Sequence, residues 1–170
     1  IQNLLKNSKK ILVEIPEQLL VAKFYIKKSF PYAKINNIRD VYNENFSIED
    51  ELMRNDFLLI PNTHIFKIKS IHPTLICNFN SFGEMSNDNF RSYMNSNLIK
   101  NTKYLFLINR LDSFPTYNND ISILDYKINH YKAIHFENSP IFDYYYESFS
   151  PFYIKKTPFS SRCFEYIGCK

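Results

Sequence analysis

The chain has 170 residues, of which 45% are hydrophobic and 22% charged, with 21 basic and 17 acidic side chains and a formal charge of +4. That balance fits one domain spanning residues 1–170, excludes a wholly disordered chain, and falls short of a nucleic-acid footprint. Only two glycines occur, Gly83 and Gly168, so no glycine-rich phosphate loop can be written within these residues, and no apolar run reaches the roughly 18 residues of a membrane span.

Lys10 to Glu14 is a short apolar run rich in branched residues and predicts a strand. Pro16 and Glu17 suit a first helical turn, and Leu19, Ala22, Ile26 and Phe30 recur at helical spacing until Phe30-Pro31 closes the helix. Residues 36–55 are polar and broken, and are expected to form a connection with one helical turn at most. Asp56 to Ile60 predicts a second strand stopped by Pro61-Asn62, residues 64–71 a short helix, and Pro73 to Asn78 a third, buried strand. Ser81 with Glu84 three residues on matches a capping box, so a helix carrying Phe90, Met94 and Leu98 is expected from there. Lys103 to Asn109 is nearly all apolar and predicts a central strand. Residues 113–120 predict a loop and Tyr131 to Phe136 a strand. Pro140, Pro151 and Pro158 punctuate an aromatic tail, and Cys163 to Ile167 predicts a last, antiparallel strand. Strands separated by helical patterns imply an α/β fold with a mostly parallel sheet and flanking helices.

In such sheets ligands sit at the carboxyl ends of the strands, which selects the residues to weigh. Glu14 ends its strand where a carboxylate can accept from vicinal hydroxyls; a solvent-facing strand end is the plainer role. Asn78, Asn80 and Ser81, with Gly83 and Glu84, follow the third strand and suit close ligand approach, although a cap would also explain Ser81 and Glu84. Arg110, after Asn109, can clamp an anionic sugar or phosphate or stand as a solvated cation. The four histidines, at 64, 72, 130 and 135, have no metal-ligand spacing, and the sequence does not single out one as a general base. Cys77, Cys163 and Cys169 form no Cys-x-x-Cys pair, so neither a zinc site nor a disulfide framework is indicated; a reducing, cytoplasmic compartment is the expectation. The 13 Tyr and 16 Phe are weak evidence for RNA binding, because Ile, Asn, Lys, Tyr and Phe are all abundant, as a compositional bias of the gene would produce. The aromatics of the tail, Tyr144 to Tyr146, Phe149, Phe152 and Tyr153, fit a core edge or a contact with a second copy.

Two blocks resemble the family of sugar O-methyltransferases. Ile11 to Leu20, continuing to Tyr25-Ile26-Lys27-Lys28-Ser29-Phe30-Pro31, is similar to its acid–aliphatic–Pro–Glu signature and the helix behind it. Asn78-Phe79-Asn80-Ser81-Phe82-Gly83-Glu84-Met85 is similar to its Asn-x-x-Ser-Phe-x-Glu-Met block, and Asn109-Arg110 after an apolar strand fits too. Residues 10 to 110 carry the resemblance, with a looser match through residues 161–166; Thr74, where an acid is expected, departs from it. The resemblance implies a Rossmann-like class I fold that uses S-adenosylmethionine, with Glu14 on the cofactor ribose and Pro61 and Asn62 beside the adenine. It places Asn78, Asn80 and Ser81 at the methionine moiety, Glu84 as a candidate catalytic base, Arg110 at a sugar or glycan acceptor, and no metal. It also implies a first strand and glycine-rich loop upstream of Ile1, so the chain reads as an N-terminally truncated member. The alternative is a non-catalytic module that binds a partner protein or RNA.

Overall fold

The computed structural model describes residues 8–111, 121–139 and 163–170, and the backbone alone of 145–150 and 153–158. The expected loop at 113–120 lies outside the described residues apart from its flanks, as do the side chains of the tail. Contacts divide the chain into two compact units, residues 1–70 and 71–170.

In the first unit, strands β1 (Lys10–Glu14) and β2 (Phe57–Pro61) pair in parallel, from Lys10 opposite Phe57 to Glu14 opposite Pro61. Helix α1 (Pro16–Ser29) joins them as the sequence predicts, with Pro16 at its first position, Glu17 in the first turn and Lys27 and Lys28 in the last. Its Leu19 and Ile26 bury against Phe57 and Leu59. The polar stretch 36–55 is more ordered than expected. It holds a 3-10 turn at Ile38–Tyr42 and helix α2 (Ile48–Arg54), whose amino end is capped by the Ser47 hydroxyl accepting from the Asp50 N–H at 3.3 Å. Buried Asn36 accepts from the Leu59 N–H at 2.7 Å and donates to the Leu59 carbonyl at 3.2 Å, so one side-chain amide satisfies part of the β2 edge. A 3-10 segment, Asn62–Ile68, follows β2 where a short helix was expected.

The second unit is built on a four-stranded sheet. It contains β3 (Leu75–Phe79), β4 (Tyr104–Arg110), β5 (Lys132–Asn138) and β8 (Cys163–Cys169) in the order β3-β4-β8-β5. β3 and β4 are parallel, and β8 runs antiparallel to both β4 and β5. Three strands therefore share one direction and the last opposes them, as the sequence suggested. A separate antiparallel hairpin, β6 (Tyr145–Ser150) and β7 (Tyr153–Pro158), stands where only an aromatic tail was read.

Two expectations are corrected here. β3 is not a buried strand: among the described residues it lies at the sheet edge with β4 as its one strand partner, and Leu75 and Phe79 are about half exposed. The single helix after Ser81 is two helices, α3 (Asn87–Met94) and α4 (Asn97–Asn101). They part at Ser96, whose hydroxyl donates to the Tyr93 carbonyl at 2.6 Å and accepts from the Ile99 N–H at 3.4 Å. Phe90 and Met94 of α3 and Ile99 of α4 pack on Leu105, Leu107, Phe164 and Tyr166, the core of this unit. β8 needs glycine at 168, since a Cβ there would come within 2.9 Å of the Tyr131 Cβ. No helix among the described residues is long and apolar enough to cross a membrane.

Candidate functional site

The singled-out residues fall into two groups, each gathered within its own unit. In the first unit Glu14 closes β1 opposite Pro61. The Glu14 side chain is exposed, and its Oε1 accepts from the Ile15 N–H at 3.0 Å, a local bond that leaves the carboxylate at the strand end facing solvent. Pro61 is buried and ends the pairing of β2 with β1, opposite Glu14. Exposed Asn62 accepts from the Thr63 N–H at 2.9 Å and so opens the 3-10 segment.

In the second unit the chain leaves β3 through Asn80, the only described non-glycine residue with a positive φ, at 57°. Asparagine tolerates that left-handed backbone better than most residues. The Asn80 N–H still reaches the Ile108 carbonyl at 2.7 Å, so the turn is pinned to β4. Asn78 closes it from inside: its Oδ1 accepts from the Phe82 N–H at 3.3 Å and its Nδ2 donates to the Ser81 hydroxyl at 2.5 Å.

The capping box is therefore not formed. Ser81 has φ −91° and ψ −29°, already helical, and makes no side-chain cap bond, whereas a cap residue sits in extended backbone. Only a three-residue 3-10 turn, Phe82–Glu84, follows it. Gly83 is not required by its backbone either; its φ is not positive, and a Cβ would meet the Arg110 Cβ at an ordinary 3.9 Å. Glu84, not used as a cap, instead accepts from the Arg110 guanidinium at 3.4 Å, with 41% of its own side chain exposed against 13% for Arg110. The pair thus presents its carboxylate outward and its cation inward.

Two further residues belong to this rim. Asn109 is fully buried, donates from Nδ2 to the Asn78 carbonyl at 3.4 Å, and has no hydrogen-bond partner for its Oδ1 among the described residues. The Cys163 thiol, at the start of β8, donates to the Asn80 Oδ1 at 3.5 Å. Asn109 left a signal, being one polar residue closing the apolar run from Tyr104. Cys163 left none, because only the strand order brings it to Asn80.

At the same end of the sheet Glu165 accepts from the buried Ser139 hydroxyl at 2.8 Å, and its other oxygen lies 3.7 Å from His135 Nε2. The sequence left the four histidines equal; the structure sets His135 beside a carboxylate. Below the rim, burial pushes the Tyr126 phenol up, with Cys163 and Asp125 adding to it.

The rim of the second unit thus offers amides, a hydroxyl and one Glu–Arg pair, groups suited to a polar ligand that both donates and accepts. Among the described residues no group of three or more His, Cys, Asp or Glu is placed to hold a metal ion. No protein-family model matches the chain, and no curated protein or solved structure matches it.

Proposed function

We propose that the chain is part of a Rossmann-like S-adenosylmethionine-dependent O-methyltransferase acting on a sugar hydroxyl. One observation carries this reading: both blocks that resemble the family end parallel strands at their carboxyl ends, Glu14 on β1 and the Asn78–Glu84 turn on β3, with Asn109-Arg110 beside the latter. That is where ligands of parallel sheets bind.

The residues fit the cofactor. Its ribose diol is a donor, and the first unit offers the exposed Glu14 carboxylate as an acceptor. When bound, the cofactor would supply an electrophilic sulfonium methyl group for a sugar hydroxyl oxygen, with its neutral thioether as the leaving group. In the first unit Glu14 would hold the ribose with Pro61 and Asn62 beside the adenine; the role of Asn78, Asn80 and Ser81 at the methionine part is what the family resemblance implies. Arg110 orients the sugar through its hydroxyl oxygens, and also holds the Glu84 carboxylate in place at 3.4 Å. Glu84 takes the hydroxyl proton as the C–O bond forms. The protein's main contribution is alignment of oxygen and methyl carbon at roughly 3–3.5 Å.

The test is transfer of labelled methyl from S-adenosylmethionine to a glycan panel by the complete gene product. Transfer is expected, with Glu84→Gln slowing it by about 10²–10⁴-fold, as loss of a general base does. Absence of label on every glycan would contradict the enzymatic reading and favour a binding module.

A further inference from the structure

Within the first unit a cleft of about 540 Å³ opens between the segment from Tyr42 to Glu49 and the 3-10 segment after β2. Its volume lies in the range of small-molecule sites, roughly 300–1,000 Å³. The sequence read the first stretch as a broken polar connection and the second as a short helix, and weighed only Asn62 and His64 from them.

One wall is a row of rings. Tyr42 meets the His64 ring edge-on at 4.5 Å, and His64 lies 5.7 Å from Phe66. Tyr42 and Phe66, the two outer rings, are each about half exposed. His64 is fixed from behind by the Thr63 hydroxyl, 2.9 Å from its Nδ1. The other wall is polar. Glu44 and Glu49 supply carboxylates, and Ser70 donates to Glu49 Oε1 at 3.2 Å. Lys67 spans the walls: its ammonium lies 5.4 Å from the Phe46 ring centroid and donates to the Asn43 carbonyl at 2.6 Å.

These features narrow the ligand. A cation over the Phe46 ring is already provided by the chain, so that face is not open to an ammonium ligand. A phosphate or carboxylate ligand would meet two carboxylates against one lysine already bonded to a carbonyl, a repulsive balance. A neutral ligand with an apolar C–H face for the rings and several hydroxyls for the carboxylates and the lysine uses every one of these groups.

We propose that this cleft binds a neutral carbohydrate, with a pyranose C–H face on Tyr42 and Phe66 and its hydroxyls on Glu44 and Glu49. This binding is a site of its own within the first unit and does not rest on the methyltransferase reading.

Saturation-transfer NMR on the chain tests it, with methyl glucoside, methyl galactoside, methyl mannoside, maltose and lactose as probes, and with choline and AMP alongside. Saturation of the ring C–H protons of at least one saccharide is expected. Tyr42→Ala and Phe66→Ala, exposed and outside the core, should weaken it by several-fold to about tenfold with the melting midpoint unchanged. No bound saccharide, a preference for choline or AMP, or binding unaffected by both substitutions would overturn the proposal. The two readings fail separately. A saccharide bound in the cleft without methyl transfer by the complete gene product sinks the methyltransferase and leaves the cleft as assigned. Methyl transfer by the complete gene product with no saccharide bound in the cleft does the reverse.

Discussion

Replacing Asn36 by alanine is expected to destabilise the first unit by about 2–5 kcal/mol in chemical unfolding. The Asn36 amide is the partner of both the Leu59 N–H, at 2.7 Å, and the Leu59 carbonyl, at 3.2 Å, and both residues are buried. Alanine removes both partners at once without admitting water. Each stranded group then carries its own desolvation cost of roughly 1–3 kcal/mol. Neighbouring Asn37 is the control. It is exposed and accepts from the Arg39 N–H at 3.3 Å, a cap on a short 3-10 turn, so Asn37→Ala should cost about 1 kcal/mol or less. Equal effects of the two substitutions would contradict the role of Asn36 as the edge partner of β2.

The second large effect lies at Tyr131 and appears in alkali. Its phenol donates to the Ile99 carbonyl and, at 3.2 Å, to the Thr102 carbonyl, and so satisfies the carboxyl end of α4. Burial, with Tyr166 adding to it, pushes this phenol up from about 10 to about 12. The folded chain therefore keeps a proton that the unfolded chain gives up near pH 10. The contribution of Tyr131 is whole below pH 10 and is lost as pH rises from 10 towards 12, by up to about 2–3 kcal/mol at about 1.36 kcal/mol per unit. Tyr131→Phe should cost about 1–3 kcal/mol at neutral pH and flatten that alkaline slope. Tyr126 makes the contrast. It too is buried, but its hydroxyl has no hydrogen-bond partner among the described residues. Tyr126→Phe should therefore leave neutral stability unchanged or raise it by about 1 kcal/mol. Both phenols are raised by burial, so the neutral-pH unfolding curves separate the two; a loss at Tyr126 at pH 7 as large as that at Tyr131 would contradict this hydrogen-bond assignment.

Elements with a strong period were legible in the sequence. The β1–α1–β2 start, the apolar β4 and the opposing β8 all follow from branched apolar runs, helical spacing and the proline at the first turn of α1. Strand neighbours were not legible. Edge or centre is decided by partners far along the chain, which is why β3 reads as buried and stands at an edge. The capping-box pattern of Ser81 and Glu84 failed because Asn78, held in the sheet, takes the Ser81 hydroxyl first. Glu84 is then left to Arg110, 26 residues away, a distance in sequence that no local motif spans. The aromatic cleft was invisible for a related reason. Tyr42 and His64 meet as rings, but each sits in a short irregular segment without periodicity. That Glu14, Asn78 and Arg110 stand at or next to strand ends was legible, because the apolar runs themselves set where those strands stop.

The most direct test of the central claim is the affinity of S-adenosylmethionine for the chain, measured by titration calorimetry on the wild type and on Glu14→Ala. The same titration is run on the chain extended by any residues encoded upstream of Ile1. Two charge-assisted hydrogen bonds that Glu14 accepts from the ribose hydroxyls, each worth roughly 1.5–3 kcal/mol, predict a loss of affinity of about 100-fold or more in the variant. The unliganded melting midpoint should not move, because Glu14 is an exposed strand end. Binding that is lost in Glu14→Ala is the result this account predicts. No binding by either form of the protein, or an affinity that Glu14→Ala leaves unchanged, would contradict it.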